Sequence, residues 1–202
     1  QSDRVKELIK TLEADGLIIH VNPLQEWFQP EGDKFQFSSI DTIKRCIDVF
    51  DFPLMVKEVG QGMGPKSLRA LLELPLEAVD YGAFGGTNFA VLENLRASGV
   101  RAEEWIPATR VGHNAEEMTQ WICDFQREGS LNIQAKNIIV SGGIKSFLDG
   151  YYHLLKVPHN VMYAQASPFL KYALLGEEPL FEYIESQLQG LAMSYSYLSL
   201  KS

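Results

Sequence analysis

Hydrophobic residues form two patterns along this chain: short uninterrupted runs, and longer stretches in which they recur every third or fourth position. The short runs are typical of buried strands, and the longer stretches are typical of amphipathic helices. Five short runs predict strands over residues 16–21, 53–60, 77–81, 137–143 and 160–164. The periodic stretches predict helices over residues 3–14, 40–50, 66–74, 89–97, 115–128, 146–156 and 169–198. No element is predicted over residues 98–114.

The order of these elements predicts the fold class. Strand and helix alternate five times, which favours a parallel sheet with helical crossovers, and the run at 16–19 is typical of a strand buried on both faces. Each strand carries its polar or glycine residues at its carboxyl end, so we expect one site at one rim, as in α/β barrels. A closed (β/α)8 barrel takes about 250 residues. We therefore predict an α/β fold of the TIM barrel class, present as a partial barrel of about five parallel strands.

Composition narrows the possible partners and compartments. The formal net charge of −8 argues against nucleic acid and against a membrane as partners. The 202 residues, 46% of them hydrophobic, predict a single domain over residues 1–202. Cys46 and Cys123 lie in predicted helices without metal-ligand spacing, which predicts buried free thiols. Because no apolar run reaches the roughly 20 residues of a membrane span and the start lacks a signal peptide's apolar core, we expect a cytoplasmic protein.

The densest group of chemically competent side chains follows the first predicted strand. His20 and Asn22 are two positions apart and point to the same side of an extended chain, and Pro23 ends the strand. We expect a loop to follow, with four further polar side chains: Gln25, Glu26, Gln29 and Glu31. This pattern indicates the active-site rim of a barrel, and the alternative is a polar turn on a solvated surface.

Two glycine-rich turns at strand ends are candidate phosphate-binding sites. Residues 82–87 and 141–143 place backbone amides at strand-to-helix junctions, where unsatisfied N–H groups and the helix dipole favour anions. Their alternative role is purely as turns. Neither fits a G-x-G-x-x-G fingerprint that opens a first βαβ unit, which disfavours a Rossmann site. Lys57, near the end of the second strand, is costly to bury without an anionic partner, and a bound flavin supplies one.

Several side chains of the first rim segment have more than one possible role. Glu26 and Glu31 are candidate Mg²⁺ ligands, although Glu31 could instead order its loop. The Gln25 amide could orient a substrate or pass a proton, and His20 is either a phosphate donor or a core histidine. The other three histidines show no matching partners and are assigned to structure or surface: His113, His153 and His159.

Several of these segments together resemble one enzyme family. The H-x-N-P-x-Q-E…Q-P-E-G-D element is the specific one, and the others follow it in the family's order and approximate spacing. The matching segments are 14–26, 29–33, 56–60, 85–90, 141–144 and 166–170. The chain resembles the FMN-dependent type 2 isopentenyl diphosphate isomerases over most of its length from Ala14 to Leu170.

The resemblance implies a reaction and a set of site residues. The reaction is the interconversion of isopentenyl and dimethylallyl diphosphate, a 1,3-proton shift that needs Mg²⁺ and reduced FMN, with NAD(P)H as the reductant. Gln25 would face the reacting carbons, Glu26 would ligate Mg²⁺, and His20 and Asn22 would line the diphosphate pocket. The residues expected to hold FMN are Lys57, Thr87, Gly142, Gly143, Ala166 and Ser167.

Two departures from the family pattern leave alternatives open. The family usually has Ser-Gly-Ala-Gly-Gly-Thr where this chain has residues 82–87, so a serine contact to FMN is lost and Phe84 adds bulk. The family's N-terminal portion, with its first three barrel strands, is not in this chain, which also lacks an initiator Met. Exposed sheet edges would favour a homo-oligomer. The alternatives are a non-catalytic remnant of the fold and another FMN-dependent barrel oxidoreductase.

Overall fold

A single parallel sheet of five strands forms the centre of the protein. The computed structural model describes residues 2–32 and 37–201. The strands are β1 (Leu17–Val21), β2 (Leu54–Glu58), β3 (Ala78–Asp80), β4 (Asn137–Val140) and β5 (Val161–Tyr163). They lie in the order β1-β2-β3-β4-β5, and every neighbouring pair is parallel. Within the described ranges β1 and β5 are not paired with each other, and the predicted partial barrel is confirmed.

Helices connect the strands and follow the sheet. They are α1 (Ser2–Thr11), α2 (Pro23–Phe28), α3 (Ser39–Val49), α4 (Pro65–Leu72), α5 (Phe89–Arg96), α6 (Val100–Glu104), a 3-10 helix (Ile106–Arg110), α7 (Ala115–Arg127), α8 (Phe147–Lys156), α9 (Ser167–Ala173) and α10 (Glu177–Tyr197). No helix in the described part of the chain combines the length and the apolar character needed to cross a membrane. Residues 98–114, for which nothing was predicted, contain α6 and the 3-10 helix.

The segment after β1 is a helix rather than the predicted loop. Pro23 occupies the first helical position of α2, where its missing N–H and fixed backbone angle cost nothing. The Asn22 side chain accepts a hydrogen bond from the Gln25 amide at 3.0 Å, which caps the helix. The prediction of a loop was wrong because a proline and a capping asparagine begin a helix as readily as they end a strand.

The core lies on one face of the sheet. Leu54, Val56, Val79, Ile138 and Val140 point towards the helices and are buried. The other face, which we call the inner face, is covered less well: Ile18 of β1 is 55% exposed and Met162 of β5 is 47% exposed. The expectation that the first strand is buried on both faces was therefore wrong. Cys46 and Cys123 are free thiols, as predicted, but each is only half-buried.

Candidate functional site

A cavity of about 530 Å³, here called the rim cavity, lies at the carboxyl ends of β2, β3, β4 and β5. Parallel strands bring their carboxyl ends to one edge of the sheet, so segments distant in sequence meet there. All six residues that the sequence analysis assigned to FMN line this one cavity: Lys57, Thr87, Gly142, Gly143, Ala166 and Ser167. The fold therefore brings together residues that span more than half of the chain.

The two glycine turns form a wall of the rim cavity and contact each other. Gly142 and Gly143 have positive φ angles of 84° and 76°, which L side chains rarely adopt. A Cβ atom at Gly142 would lie 2.0 Å from the Ala83 carbonyl oxygen, and one at Gly85 would lie 3.2 Å from the Gly143 Cα. These glycines are required for the close approach of the turns.

The amides of Gly142 and Gly143 are available to a ligand. Neither donates a hydrogen bond to any residue in the described ranges. By contrast, the beginning of α8 is closed by its own side chains, because Asp149 Oδ2 accepts from the Lys145 and Ser146 amides at 2.9 Å each. The amides left available to an anion at this junction are thus those of the two glycines rather than those at the start of the helix. Free amides on a concave wall suit a phosphate group.

Two lysines of the rim cavity favour an anion, and two carboxylates, Glu58 and Asp80, line the cavity as well. Lys57 and Lys145 both line it, and neither forms an ion pair with a residue that the structure describes. Lys57 is half-buried, so its unpaired ammonium gains from an anionic ligand, and Lys145 is exposed at the edge of the cavity. Donor chemistry and glycine wall together fit a flavin phosphate.

Asp80 and Ser141 are hydrogen-bonded to each other at the rim cavity; the sequence analysis placed Ser141 in a glycine turn but gave Asp80 no role. The Ser141 hydroxyl donates a hydrogen bond to Asp80 Oδ1, which also accepts from the Gly82 amide at 3.2 Å. Asp80 is the last residue of β3, and its side chain is 9% exposed. A polar residue at the carboxyl end of a strand was the signal that could have identified it.

Glu58 is a second residue that sequence reasoning missed. It ends β2, is 4% exposed, and lines the rim cavity. Its Oε2 accepts hydrogen bonds from the amides of Gly60, Gln61 and Gly62, each at 2.8 Å. Burial raises the pKa of Glu58 to about 7, and the amide hydrogen bonds oppose that rise.

The departures from the family pattern at residues 82–87 do not fill the rim cavity. Gly82 has a φ of +51°, and a Cβ atom there would lie 1.9 Å from the Glu58 carbonyl oxygen, so this backbone has no room for a serine. Phe84 is not part of the cavity lining; its ring packs towards Gly112, where a Cβ atom would approach Cδ2 to 2.9 Å. The bulk of Phe84 therefore points away from the proposed flavin site.

His20 and Asn22 are placed differently from each other. His20 is the register partner of Lys57, so its Cα lies one strand spacing, about 4.8 Å, from that of a cavity residue, and its side chain is exposed. Asn22 is 2% exposed, and besides capping α2 its Nδ2 donates to the Val59 carbonyl and to Gln61 Oε1 at 3.4 and 3.5 Å. Asn22 thus has a structural function here, and its contact with substrate stays a prediction.

Gln25 and Glu26 lie on α2, outside the lining of the rim cavity. The Gln25 Oε1 atom is buried without a hydrogen-bond partner in the described part of the protein, which leaves an unsatisfied acceptor. Among residues 2–32 and 37–201, no group of three or more His, Cys, Asp or Glu side chains is arranged to hold a metal ion. The residues assigned to FMN therefore lie together, whereas Gln25 and Glu26 lie outside that cavity.

Glu31 orders its segment, which was the second of its two possible roles. Arg96 of α5 donates to Glu31 Oε1 at 3.2 Å and to Glu93 Oε2 at 2.7 Å, and Gln29 donates to the other oxygen of Glu93 at 3.0 Å. A backbone hydrogen bond and the Arg96 guanidinium lower the pKa of Glu31. These contacts hold the end of α2 against α5.

Sequence comparison connects the chain with isopentenyl-diphosphate delta-isomerases. It is 29% identical over 187 residues to the protein of that name from Rickettsia bellii (strain RML369-C), covering 93% of this chain and 52% of the relative. The Synechocystis protein is 27% identical over 195 residues, covering 95% and 53%. The Geobacillus sp. (strain WCH70) protein is 40% identical over 98 residues, covering 48% and 28%. The chain spans about half the length of the Rickettsia and Synechocystis relatives, and no family model matches it.

Structural comparison shows that the fold is shared with flavoproteins. A mutant flavocytochrome b2 with benzoylformate matches with a TM-score of 0.62 and 14% identity, covering 98% of this chain and 47% of that one. A mandelate oxidase mutant with a monooxide FMN adduct matches with a TM-score of 0.51 and 13% identity, covering 95% and 54%. At such low identity the likeness concerns the fold. The chain is thus a homologue of proteins named isopentenyl-diphosphate delta-isomerase, with the fold of FMN-containing enzymes.

Proposed function

We propose that this chain is the carboxyl-terminal part of an FMN-dependent isomerase that interconverts isopentenyl and dimethylallyl diphosphate. The relatives that cover more than nine-tenths of it carry that isomerase name, and the structural neighbours include an FMN adduct. In this proposal the five strands are the later five of an eight-stranded barrel, and the rest of the protein supplies the others. The observation that carries the proposal is that all six residues assigned to FMN line the rim cavity.

Within that cavity each group has a distinct task. The Gly142 and Gly143 amides bind the phosphate of FMN, and Lys57 and Lys145 supply positive charge beside it. Thr87 gives the wall a hydroxyl group. When bound and reduced, FMN supplies the acid–base centre at which a substrate proton is added and removed. Asp80 and Ser141 keep the turn at Gly82 in place, so the cavity keeps its shape.

The segment from His20 to Glu26 acts on the substrate in this proposal. His20, beside Lys57 on the inner face, donates to the diphosphate. Gln25 orients the carbon skeleton or passes a proton, and its unsatisfied Oε1 is free to accept a hydrogen bond. Glu26 binds Mg²⁺ together with the substrate phosphates, because Mg²⁺ is commonly coordinated by one or two carboxylates and by phosphate oxygens. Binding the diphosphate tail then positions the apolar end for proton transfer.

An isomerisation assay tests the proposal directly. The protein that contains this chain is supplied with FMN, Mg²⁺, NAD(P)H and isopentenyl diphosphate under anaerobic conditions, and dimethylallyl diphosphate is measured. We expect the product to form only when the flavin is reduced, and omission of Mg²⁺ to abolish turnover. FMN binding without isomerisation would indicate a non-catalytic remnant of the fold.

A barrel oxidoreductase is the alternative favoured by the structural neighbours. Flavocytochrome b2 and mandelate oxidase share this fold, although at 13–14% identity. An enzyme of that kind reduces its flavin at the expense of a hydroxy acid, whereas the isomerase needs a separate reductant. Bleaching of the FMN absorbance by lactate or mandelate, in the absence of NAD(P)H, would support the oxidoreductase and overturn the isomerase assignment.

A further inference from the structure

The turn after β2 is an anion-binding turn that the protein fills with its own side chain. Gly60, Gln61 and Gly62 point three consecutive amides at one oxygen of Glu58, each at 2.8 Å. Converging backbone amides of this kind bind phosphates and carboxylates in many proteins. Because Glu58 is 4% exposed, these bonds are shielded from water and hold the turn strongly.

The same turn is joined to the glycine turn after β3. The amides of Gly60 and Gly62 also donate to the Gly82 carbonyl oxygen, at 2.8 and 3.0 Å. The backbones of Glu58 and Gly82 approach so closely that a Cβ atom on Gly82 would lie 1.9 Å from the Glu58 carbonyl oxygen. The segment from Gly82 to Thr87 then carries part of the rim cavity wall. Two amides are thus shared between the Glu58 carboxylate and the Gly82 carbonyl.

The side chains of Glu58 and its neighbour Lys57 point in different directions at the end of β2. Successive residues of a strand point to opposite faces, so Lys57 is on the inner face while the Glu58 side chain turns back under the loop. Glu58 also belongs to the lining of a second, mainly apolar cavity of about 300 Å³ behind the sheet.

We propose that Glu58 is a positioning residue for the cofactor: by filling the Gly60–Gly62 turn, its carboxylate fixes the Gly82–Thr87 wall of the rim cavity in the arrangement that binds FMN. This inference rests on the proposed function, which assigns FMN to that cavity. Glu58 acts through the two turns and does not itself have to touch the flavin.

Replacement of the carboxylate by a small external anion tests the proposal. Glu58→Ala leaves the Gln61 amide without an acceptor and the Gly60 and Gly62 amides with the Gly82 carbonyl alone, around a space that formate can enter. We expect FMN to bind this variant about tenfold more weakly or worse, as for the loss of a charged hydrogen-bond acceptor. Formate should restore a saturable part of the affinity, whereas chloride at the same ionic strength should not. The readout is quenching of flavin fluorescence, and the control is Glu182→Gln, an exposed glutamate on α10.

An unchanged FMN affinity in Glu58→Ala, or rescue by chloride equal to that by formate, would overturn the proposal. A second measurement needs no flavin: amide hydrogen exchange in Glu58→Gln. We expect faster exchange both at residues 60–62 and at residues 82–87, and acceleration confined to 60–62 would refute the coupling. If the parent protein binds no FMN but shows this exchange pattern, the proposed function fails while the positioning of the two turns by Glu58 is supported.

Discussion

Lys57 is the side chain whose charge most directly serves an anionic ligand in the rim cavity. It lines that cavity and has no ion-pair partner among the described residues, so it is not needed to neutralise another part of the protein. We expect Lys57→Ala to weaken FMN binding by about 10- to 100-fold, the range for one charged hydrogen bond, with little loss of stability. Flavin fluorescence titration measures this, with the exposed Lys66→Ala as the control. Equal effects of the two substitutions would remove Lys57 from the site.

Gln25 is expected to affect turnover rather than cofactor binding. Its Oε1 is buried without a partner in the described structure, and Gln25 does not line the rim cavity. We expect Gln25→Ala to lower the isomerisation rate at least about 100-fold, the low end for a positioned proton-transfer group, while FMN binds as before. Steady-state kinetics and flavin titration separate the two effects, with Gln189→Ala on α10 as the control. Near-normal turnover would exclude Gln25 from the reaction.

His153 makes the stability of the protein sensitive to acid. It is 4% exposed, its Nδ1 lies 2.9 Å from the Thr119 hydroxyl, and burial lowers its pKa from 6.5 to about 4. In the unfolded chain His153 takes up a proton below pH 6.5, but in the folded protein it stays neutral until about pH 4. The contribution of His153 to the unfolding free energy is therefore fully present above pH 6.5 and is lost as the pH falls towards 4.

The corresponding prediction compares two pH values. Between pH 7 and pH 5, protonation of His153 in the unfolded chain should lower the unfolding free energy of the parent by about 2 kcal/mol. In His153→Gln this part of the decrease should be absent. Urea unfolding at both pH values measures the difference, and the exposed His20→Gln should behave like the parent. The sequence analysis assigned His153 to structure or surface, and it did not indicate that the residue would be buried against Thr119.

At the scale of elements, Asn22 joins β1, α2 and the turn after β2. Its Oδ1 caps α2, and its Nδ2 donates to Val59 and Gln61. We expect Asn22→Ala to lower the unfolding free energy by about 2 kcal/mol, from a lost cap and unsatisfied buried partners. Asn114→Ala, which removes the exposed cap of α7, is the comparison and should cost about 1 kcal/mol. Similar losses from both would contradict the wider role of Asn22.

The strands were predictable because their signal is local. The runs predicted over 53–60 and 137–143 have apolar centres and end at glycine turns, and the structure has strands there at Leu54–Glu58 and Asn137–Val140. Helix α2 was missed because it is only six residues long, begins at Pro23 and is followed by Pro30. A short polar segment with two prolines has the composition of a loop as much as that of a helix. The exposure of Ile18 was missed because an apolar run does not show which of its faces will be covered.

The rim cavity was predictable in part. Glycines at strand ends are visible in the sequence, and the parallel order of the strands brings them together. The bonds of Glu58 were not predictable, because they depend on three backbone amides turning towards one side chain. The position of Gln25 and Glu26 outside the rim cavity was not predictable either. It depends on the packing of α2 against α5, and the local sequence does not show which helices pack together.

At the scale of the whole molecule, the sheet has two unpaired edges and an exposed inner face through which copies of the chain can associate. In the described chain β1 and β5 each pair on one side only, and Ile18 and Met162 are about half exposed. We expect the chain, when it is produced without the strands that would complete the barrel, to form homo-oligomers through this face and these edges. Sedimentation velocity should show that Ile18→Lys with Met162→Lys shifts the population towards monomer. Leu8→Lys, an exposed site on α1, should not change it, and an unaltered oligomer in the double variant would contradict this prediction.

The sequential order β1-β2-β3-β4-β5 also has a consequence for how the chain acquires its structure during synthesis. Every strand pairs only with the strands immediately before and after it along the chain, so each pairing can form as soon as the later strand leaves the ribosome. The slowest closure should be that of β3 with β4, because residues 81–136 are the longest segment between neighbouring strands. The extra loop-closure cost, relative to the other crossovers, is about 0.5 to 1 kcal/mol. A nascent chain that pauses within this segment would have β1, β2 and β3 paired and the free edge of β3 exposed.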